Sequence, residues 1–62
     1  MNKEQILKLK TTKHIKIYKL SQIGLSKKDI ANELETNYGH VYNVIKRYDN
    51  DKNLRDISDS IT

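Results

Sequence analysis

Hydrogen-bonding and cationic side chains recur along residues 37–48 at helical spacing. At about 100° per residue, Gly39, Asn43, Lys46 and Arg47 would share one side of a helix. The opposite side would carry Val41, Val44, Ile45 and Tyr48. The polar side holds an amide and two cations and no acid, and such groups donate hydrogen bonds to anionic partners. The segment therefore predicts an amphipathic helix with a surface suited to binding.

The charge of the chain is concentrated at its amino-terminal end. The 62 residues include 12 Lys and Arg against 8 Asp and Glu, a formal net charge of +4. Residues 1–28 carry +7, residues 29–48 carry −1 and residues 49–62 carry −2. A basic half of this kind is typical of a surface that meets phosphates. A solvated lysine-rich face is an equally good explanation of the composition taken alone.

The composition excludes several functional classes. The chain has no Cys, Trp, Phe or Pro, so its core must be built from Ile, Leu, Val and Tyr, without disulfides or a Cys-based zinc site. Two His without a Gly-rich phosphate loop or paired acids give no basis for catalysis. We expect no enzyme activity, metal, cofactor or small-molecule substrate. No apolar run approaches the ~20 residues of a membrane span. We expect no membrane partner and a cytoplasmic, nucleoid-associated location in a bacterial host.

Three helices are predicted in the middle of the chain. Thr12 can cap a first helix that ends at Gly24, with Ile17 and Leu20 on its apolar side. Ile15, Tyr18 and Ile23 fall outside this side and are expected to pack under the amino-terminal arm or a second subunit. Ser26 can cap a second helix from Lys27 to about Glu35, which buries Ile30, Ala31 and Leu34. Asn37 can cap a third from Tyr38 to about Tyr48.

The two ends of the chain are less regular. Residues 1–12 fit a basic arm or a short helix. The stretch from Asp49 to Asn53 resembles a break, and Leu54, Ile57 and Ile61 then recur at three and four residues. Residues 49–62 are therefore predicted to form an acidic tail or the start of a dimerising helix. We expect a homodimer.

The pattern of Ile30, Ala31, Leu34, Val41 and Val44 resembles the helix-turn-helix family. In that family a small residue lies where two helices cross closely, and apolar residues at this spacing fill the wedge between them. Glu35 departs from the pattern, since the turn usually has Gly there. The resemblance covers residues 13–48 and implies an all-α, three-helix helix-turn-helix domain of a phage or plasmid DNA-binding protein. An additional carboxy-terminal helix is compatible with it.

The resemblance implies that the third helix enters the major groove of double-stranded DNA. The expected base contacts are Asn37, Tyr38, Gly39, Tyr42, Asn43 and Lys46. The expected phosphate contacts are Ser26, Lys27, Lys28, Thr36, His40 and Arg47. Lys8, Lys10 and Lys13 could in addition form a minor-groove arm. For three residues, packing within the domain is weighed against contact with a ligand. Tyr48 is expected to be a core residue and His14 a boundary residue of the first helix, while Tyr42 fits packing and DNA contact equally well.

The expected role is that of a transcriptional repressor or a plasmid partition protein that binds a centromere. The alternative is a small basic protein-interaction module, such as a phage anti-defence or adaptor protein. The salt dependence of binding to random duplex DNA would separate the two.

Overall fold

The computed structural model describes residues 2–60, which form helices and contain no strand. The helices are α1 (Lys3–Leu7), α2 (Lys13–Gln22), α3 (Lys27–Glu33), α4 (Tyr38–Asn50) and α5 (Lys52–Ser60). The all-α class predicted from the sequence is confirmed. The described part of the chain has two more helices than the three predicted in its middle, a short one before them and one after them.

The starts of the three middle helices are set by the predicted capping residues. The backbone N–H groups of Ile15, Asp29 and His40 donate to the side-chain oxygens of Thr12 (3.4 Å), Ser26 (3.1 Å) and Asn37 (2.7 Å). Each bond satisfies one of the amide groups that a helix leaves unpaired in its first turn. The predicted starts of α2, α3 and α4 are therefore confirmed.

Gly24 has the left-handed conformation that the sequence predicts, and α2 ends at Gln22, two residues before the predicted end. The φ of Gly24 is +102°, and its N–H donates to the Ser21 carbonyl at 3.1 Å. The Leu25 N–H donates to the Leu20 carbonyl at 3.2 Å, and Leu25 packs against the core. This pair of bonds is a Schellman motif, in which the left-handed residue turns the chain back over the last turn.

The end of α3 repeats this geometry without a glycine. Glu35 has a φ of +53°, its N–H donates to the Asn32 carbonyl at 3.4 Å, and the Thr36 N–H donates to the Ala31 carbonyl at 2.9 Å. The helix therefore ends at Glu33 and does not reach Glu35 as predicted, because a left-handed residue cannot continue a right-handed helix. The turn between α3 and α4 thus contains a strained residue with a Cβ.

The core lies between α1, α2, α3 and α4. The fully buried apolar side chains are Ile6, Ile17, Leu20, Ile30 and Val41. Ile15 and Tyr18 are also buried, whereas Ile23 is 39% exposed. The single apolar side predicted for α2 was too narrow because α2 contacts α1, α3, α4 and α5, which surround it. The Tyr18 ring stacks on Tyr48 with centroids 5.1 Å apart.

The amino-terminal segment is held on the domain by α1. Asn2 and Gln5 form a capping box, with both hydrogen bonds at 2.9 Å. Ile6 is 1% exposed and joins the core. The Lys16 ammonium donates to the Leu7 carbonyl at 3.0 Å, which ties the end of α1 to α2. Residues 3–7 are thus a helix docked on the core, with Asn2 as its cap.

The carboxy-terminal segment forms α5 after a break of one residue. Asp51 alone separates α4 from α5, so the break predicted from Asp49 to Asn53 was too long. The Asp51 carboxylate accepts from the backbone N–H groups of Asn53 and Leu54 and so starts the next helix. Leu54 packs against the core, Ser58 is fully buried and Ile57 is 53% exposed. Ile61, the last residue of the predicted apolar pattern, lies outside the described residues.

Candidate nucleic-acid interface

The two faces of α4 are separated as the sequence predicts. Val41, Val44, Ile45 and Tyr48 are buried against the core. Gly39, Asn43, Lys46 and Arg47 are exposed on the opposite face. Because α2, α3 and α5 all pack on α4, the side that remains in solvent is the polar one. The helix therefore presents amide and cationic groups outward.

Every residue predicted to contact DNA lies at the surface or close to it. All six predicted base contacts are exposed, with Tyr38 at 57% and Tyr42 at 45%. Of the predicted phosphate contacts, Ser26, Lys28 and Arg47 are exposed, and Lys27, Thr36 and His40 are half-buried. The Asn37 side-chain oxygen is already used by the cap, which leaves its amide group for an outside partner. None of these side chains is part of the core.

A cleft along one side of α4, here called the histidine cleft, contains residues from α2 and α4. It is an open cleft of about 460 Å³, lined by His14, His40, Asn43, Val44, Lys46, Arg47 and Asn50. The rings of His14 and His40 lie beside each other in a tilted arrangement, with centroids 5.3 Å apart and planes inclined by 51°. The lining includes no carboxylate.

His14 is a surface residue that the sequence did not place beside α4. Its position in α2 indicates only a boundary residue, and 26 positions separate it from His40. The packing of α2 on α4 brings the two rings together. No local pattern in the sequence carries this signal, because the contact depends on how two helices cross.

A second cleft, here called the lysine cleft, runs along the other side of α4. It is lined by Lys27, Tyr42, Ile45, Lys46, Asp49 and Asn50. The Lys27 ammonium lies 6.0 Å from the centroid of the Tyr42 ring, at the outer limit of a cation–π contact. Since α4 continues to Asn50, two residues beyond the predicted end, its surface includes the acidic Asp49. The exposed ridge between the two clefts includes Lys46 and Asn50, which line both.

No protein-family model, curated protein or solved structure matches this chain. Within residues 2–60, no cluster of three or more metal-ligating side chains is present. No helix in the same range has the length and apolar character needed to cross a membrane. The kinds of partner that the surface around α4 can bind therefore follow from its own side chains.

The cations beside α4 are not neutralised by the fold. Residues 2–60 contain one ion pair with a nitrogen–oxygen distance within 4 Å. It joins Lys3 to Glu33 at 3.0 Å. Lys3 and Lys16 are thus engaged by contacts within the domain, whereas Lys27, Lys46 and Arg47 form no ion pair or side-chain hydrogen bond within these residues. Cations without an ion-pair partner attract anions, and in the lysine cleft Asp49 offsets part of this attraction.

One titratable group below this surface is perturbed. Burial raises the pKa of the Tyr48 phenol above its usual value of 10.0, and the nearby Arg47 guanidinium lowers it by a smaller amount. Tyr48 is 6% exposed and stacks on Tyr18, as expected of a core residue. The neutral Tyr48 phenol therefore packs α4 against the core and is not part of the exposed face of that helix.

Proposed function

We propose that this domain binds double-stranded DNA in a sequence-specific manner, with α4 in the major groove. The observation that carries the proposal is the exposed ridge of α4 around Asn43 and Lys46, with a cleft that contains cations on each side. We propose further that α3 and α4 together act as a helix-turn-helix unit.

The packing of α3 on α4 supports such a unit. The two helices are joined through residues 34–37 and contact each other. Ala31 is 6% exposed, and Ile30 and Val41 beside it in the core are fully buried. The Ala31 carbonyl also accepts the N–H of Thr36, so this small residue anchors the turn. A small side chain allows two helix backbones to approach closely. The helix-turn-helix family, which the sequence resembles, has a small residue at this position.

The dimensions of α4 suit a DNA groove. An α-helix with its side chains is about 10–12 Å wide, and the major groove of B-form DNA is about 12 Å wide. A sugar-phosphate backbone borders each side of that groove. Cations on both sides of α4 would therefore meet one strand each. The major groove of A-form RNA is too narrow for a helix, which favours duplex DNA as the partner.

The proposed roles follow from position on α4. Asn43, exposed at the histidine-cleft side of the ridge, can pair with adenine N6 and N7, and Lys46 one turn later can reach a base acceptor. Asn37, Tyr38 and Gly39 lie at the amino-terminal end of the helix, which leads into the groove in domains of this type. The proposed phosphate contacts, which position the domain without reading sequence, are Ser26, Lys27, Lys28, Thr36, His40 and Arg47.

We assign the exposed Tyr42 to contact the DNA strand on the lysine-cleft side of α4. Its ring lies at the edge of the cleft with Lys27 above it, so it can contact a base or a sugar while the ammonium binds phosphate. Asp49 in the same cleft limits how many phosphates this side can take. The proposed biological role is that of a transcriptional repressor or a plasmid partition protein.

The first experiment selects bound sequences from a random duplex pool and measures binding by fluorescence anisotropy. We expect affinity for random duplex to fall by roughly a thousandfold between 50 and 200 mM salt if about six phosphates are contacted. Two-fold symmetry in the selected sequences would indicate binding as a homodimer. Absence of duplex binding at low salt would contradict the proposal and would favour an acidic protein as the partner of this surface.

Two substitutions separate base reading from phosphate binding. Asn43→Ala should cost about 1 to 3 kcal/mol on the selected site and leave affinity for a scrambled duplex unchanged. Lys28→Ala should weaken both duplexes equally and lower the salt dependence by about one phosphate. Asn53→Ala is the matched control, since this exposed asparagine of α5 lines neither cleft. Equal losses on both duplexes for Asn43→Ala would remove Asn43 from the base-reading residues.

A further inference from the structure

The two histidines of the chain meet in one cleft, where α2 packs on α4. The chain has two His, and both line the histidine cleft. His14 is exposed and His40 is half-buried. Within residues 2–60 neither ring takes part in a hydrogen bond. The ring nitrogens are therefore not occupied by hydrogen bonds within the described residues.

The groups around the rings indicate an anion and not a metal ion. Lys46 and Arg47 from α4 line the same cleft, and Asn43 and Asn50 add amide donors. No charged side chain from α1, α3 or α5 lines it, so no carboxylate is available to offset these cations. A metal cation would be repelled by the lysine and the arginine, whereas an anion is attracted to them. Two neighbouring imidazoles, each with at least one N–H donor, thus lie among cations and amides that favour an anion.

The position of both histidines within their helices adds to this preference. His14 is the second residue of α2 and His40 is the third residue of α4. Backbone N–H groups in the first turn of a helix lack partners within it, and negative charge is favoured there. The first turns of two helices, of 10 and 13 residues, therefore lie at the same cleft.

We propose that the histidine cleft binds one phosphate of duplex DNA and that His14 and His40 take up protons as it does so. This inference rests on the proposed function. It adds His14 to the proposed DNA contacts and makes the affinity for DNA depend on pH. Histidine changes charge between about pH 5 and 8, and its charged form has two N–H donors in place of one. Phosphate binding and protonation therefore favour each other.

The test measures duplex affinity at pH 6 and pH 8 at constant ionic strength. The protein should bind random duplex about tenfold more tightly at pH 6, in accord with a net uptake on binding of about half a proton, averaged between pH 6 and pH 8. The salt dependence should also be greater by about one phosphate at pH 6. His14→Gln and His40→Gln, which keep a hydrogen-bonding side chain that does not titrate, should each flatten the pH dependence. The double variant should bind almost equally at both pH values.

A second measurement uses the unaltered protein and does not depend on how the variants fold. Imidazole nitrogen NMR signals of both histidines should shift toward the protonated form when duplex is added at pH 7. Inorganic phosphate at the same concentration should leave them in place. Equal shifts with inorganic phosphate would overturn the assignment to DNA, and shifts caused by micromolar Zn²⁺ would overturn the assignment to an anion.

The outcomes distinguish this inference from the function on which it rests. Duplex binding that is independent of pH would overturn the histidine contact and leave the DNA-binding function intact. A pH dependence that survives in the double variant would also overturn it. Absence of duplex binding at pH 6 and at pH 8 would overturn the histidine contact and the DNA-binding function together.

Discussion

Replacement of Glu35 by glycine should stabilise the domain. Glu35 has a φ of +53°, in the left-handed region, where a residue with a Cβ costs about 1–2 kcal/mol. Glycine adopts this conformation without that penalty but loses more chain entropy on folding, which costs about 0.5–1 kcal/mol. The difference predicts a gain of about 0.5–1 kcal/mol in the free energy of unfolding of Glu35→Gly. For a domain of this size the gain corresponds to a rise of about 2–8 °C in Tm.

The assay is urea and thermal unfolding followed by circular dichroism at 222 nm. Glu35→Ala is the matched control, because it removes the same carboxylate and keeps the Cβ, so it should give no comparable gain. Gly24→Ala provides the opposite change at the end of α2. Its φ is +102°, and an added Cβ would meet no atom within 4 Å, so a loss of about 1–3 kcal/mol would come from the backbone alone.

Two results would refute this reasoning. Equal stabilisation by Glu35→Ala and Glu35→Gly would assign the effect to the carboxylate and not to backbone strain. Destabilisation by Glu35→Gly would show that residue 35 does not hold a left-handed conformation in the turn before α4. Either result would also remove the physical link between this turn and the glycine usual in helix-turn-helix domains.

Two further predictions concern buried polar groups. Ser58 is fully buried and its hydroxyl has no partner within residues 2–60, so Ser58→Ala should raise the free energy of unfolding by about 1 kcal/mol, and a loss in urea unfolding would contradict this. Because burial raises the pKa of Tyr48 in the folded state, the unfolded chain releases that proton first, and stability should fall as the pH rises above about 10. Tyr48→Phe should lose this part of the alkaline dependence, and identical pH profiles for the two proteins would rule out Tyr48 as its source.

The sequence by itself determined features that depend on neighbours three or four positions away. The apolar spacing of Val41, Val44, Ile45 and Tyr48 is set by the helical repeat, and these residues are buried together. Caps at Thr12, Ser26 and Asn37 and the left-handed Gly24 are likewise local, since each involves hydrogen bonds within one turn. The polar face of α4 therefore follows from the sequence alone.

The tertiary structure decided what depends on how the helices pack. Burial of Ile15 and Tyr18 follows from the four helices around α2, and docking of α1 follows from Ile6 filling the core. The pairing of His14 with His40 depends on the crossing of α2 and α4. Such contacts arise between residues far apart in the chain, where burial of apolar surface decides the arrangement and local spacing carries no record of it.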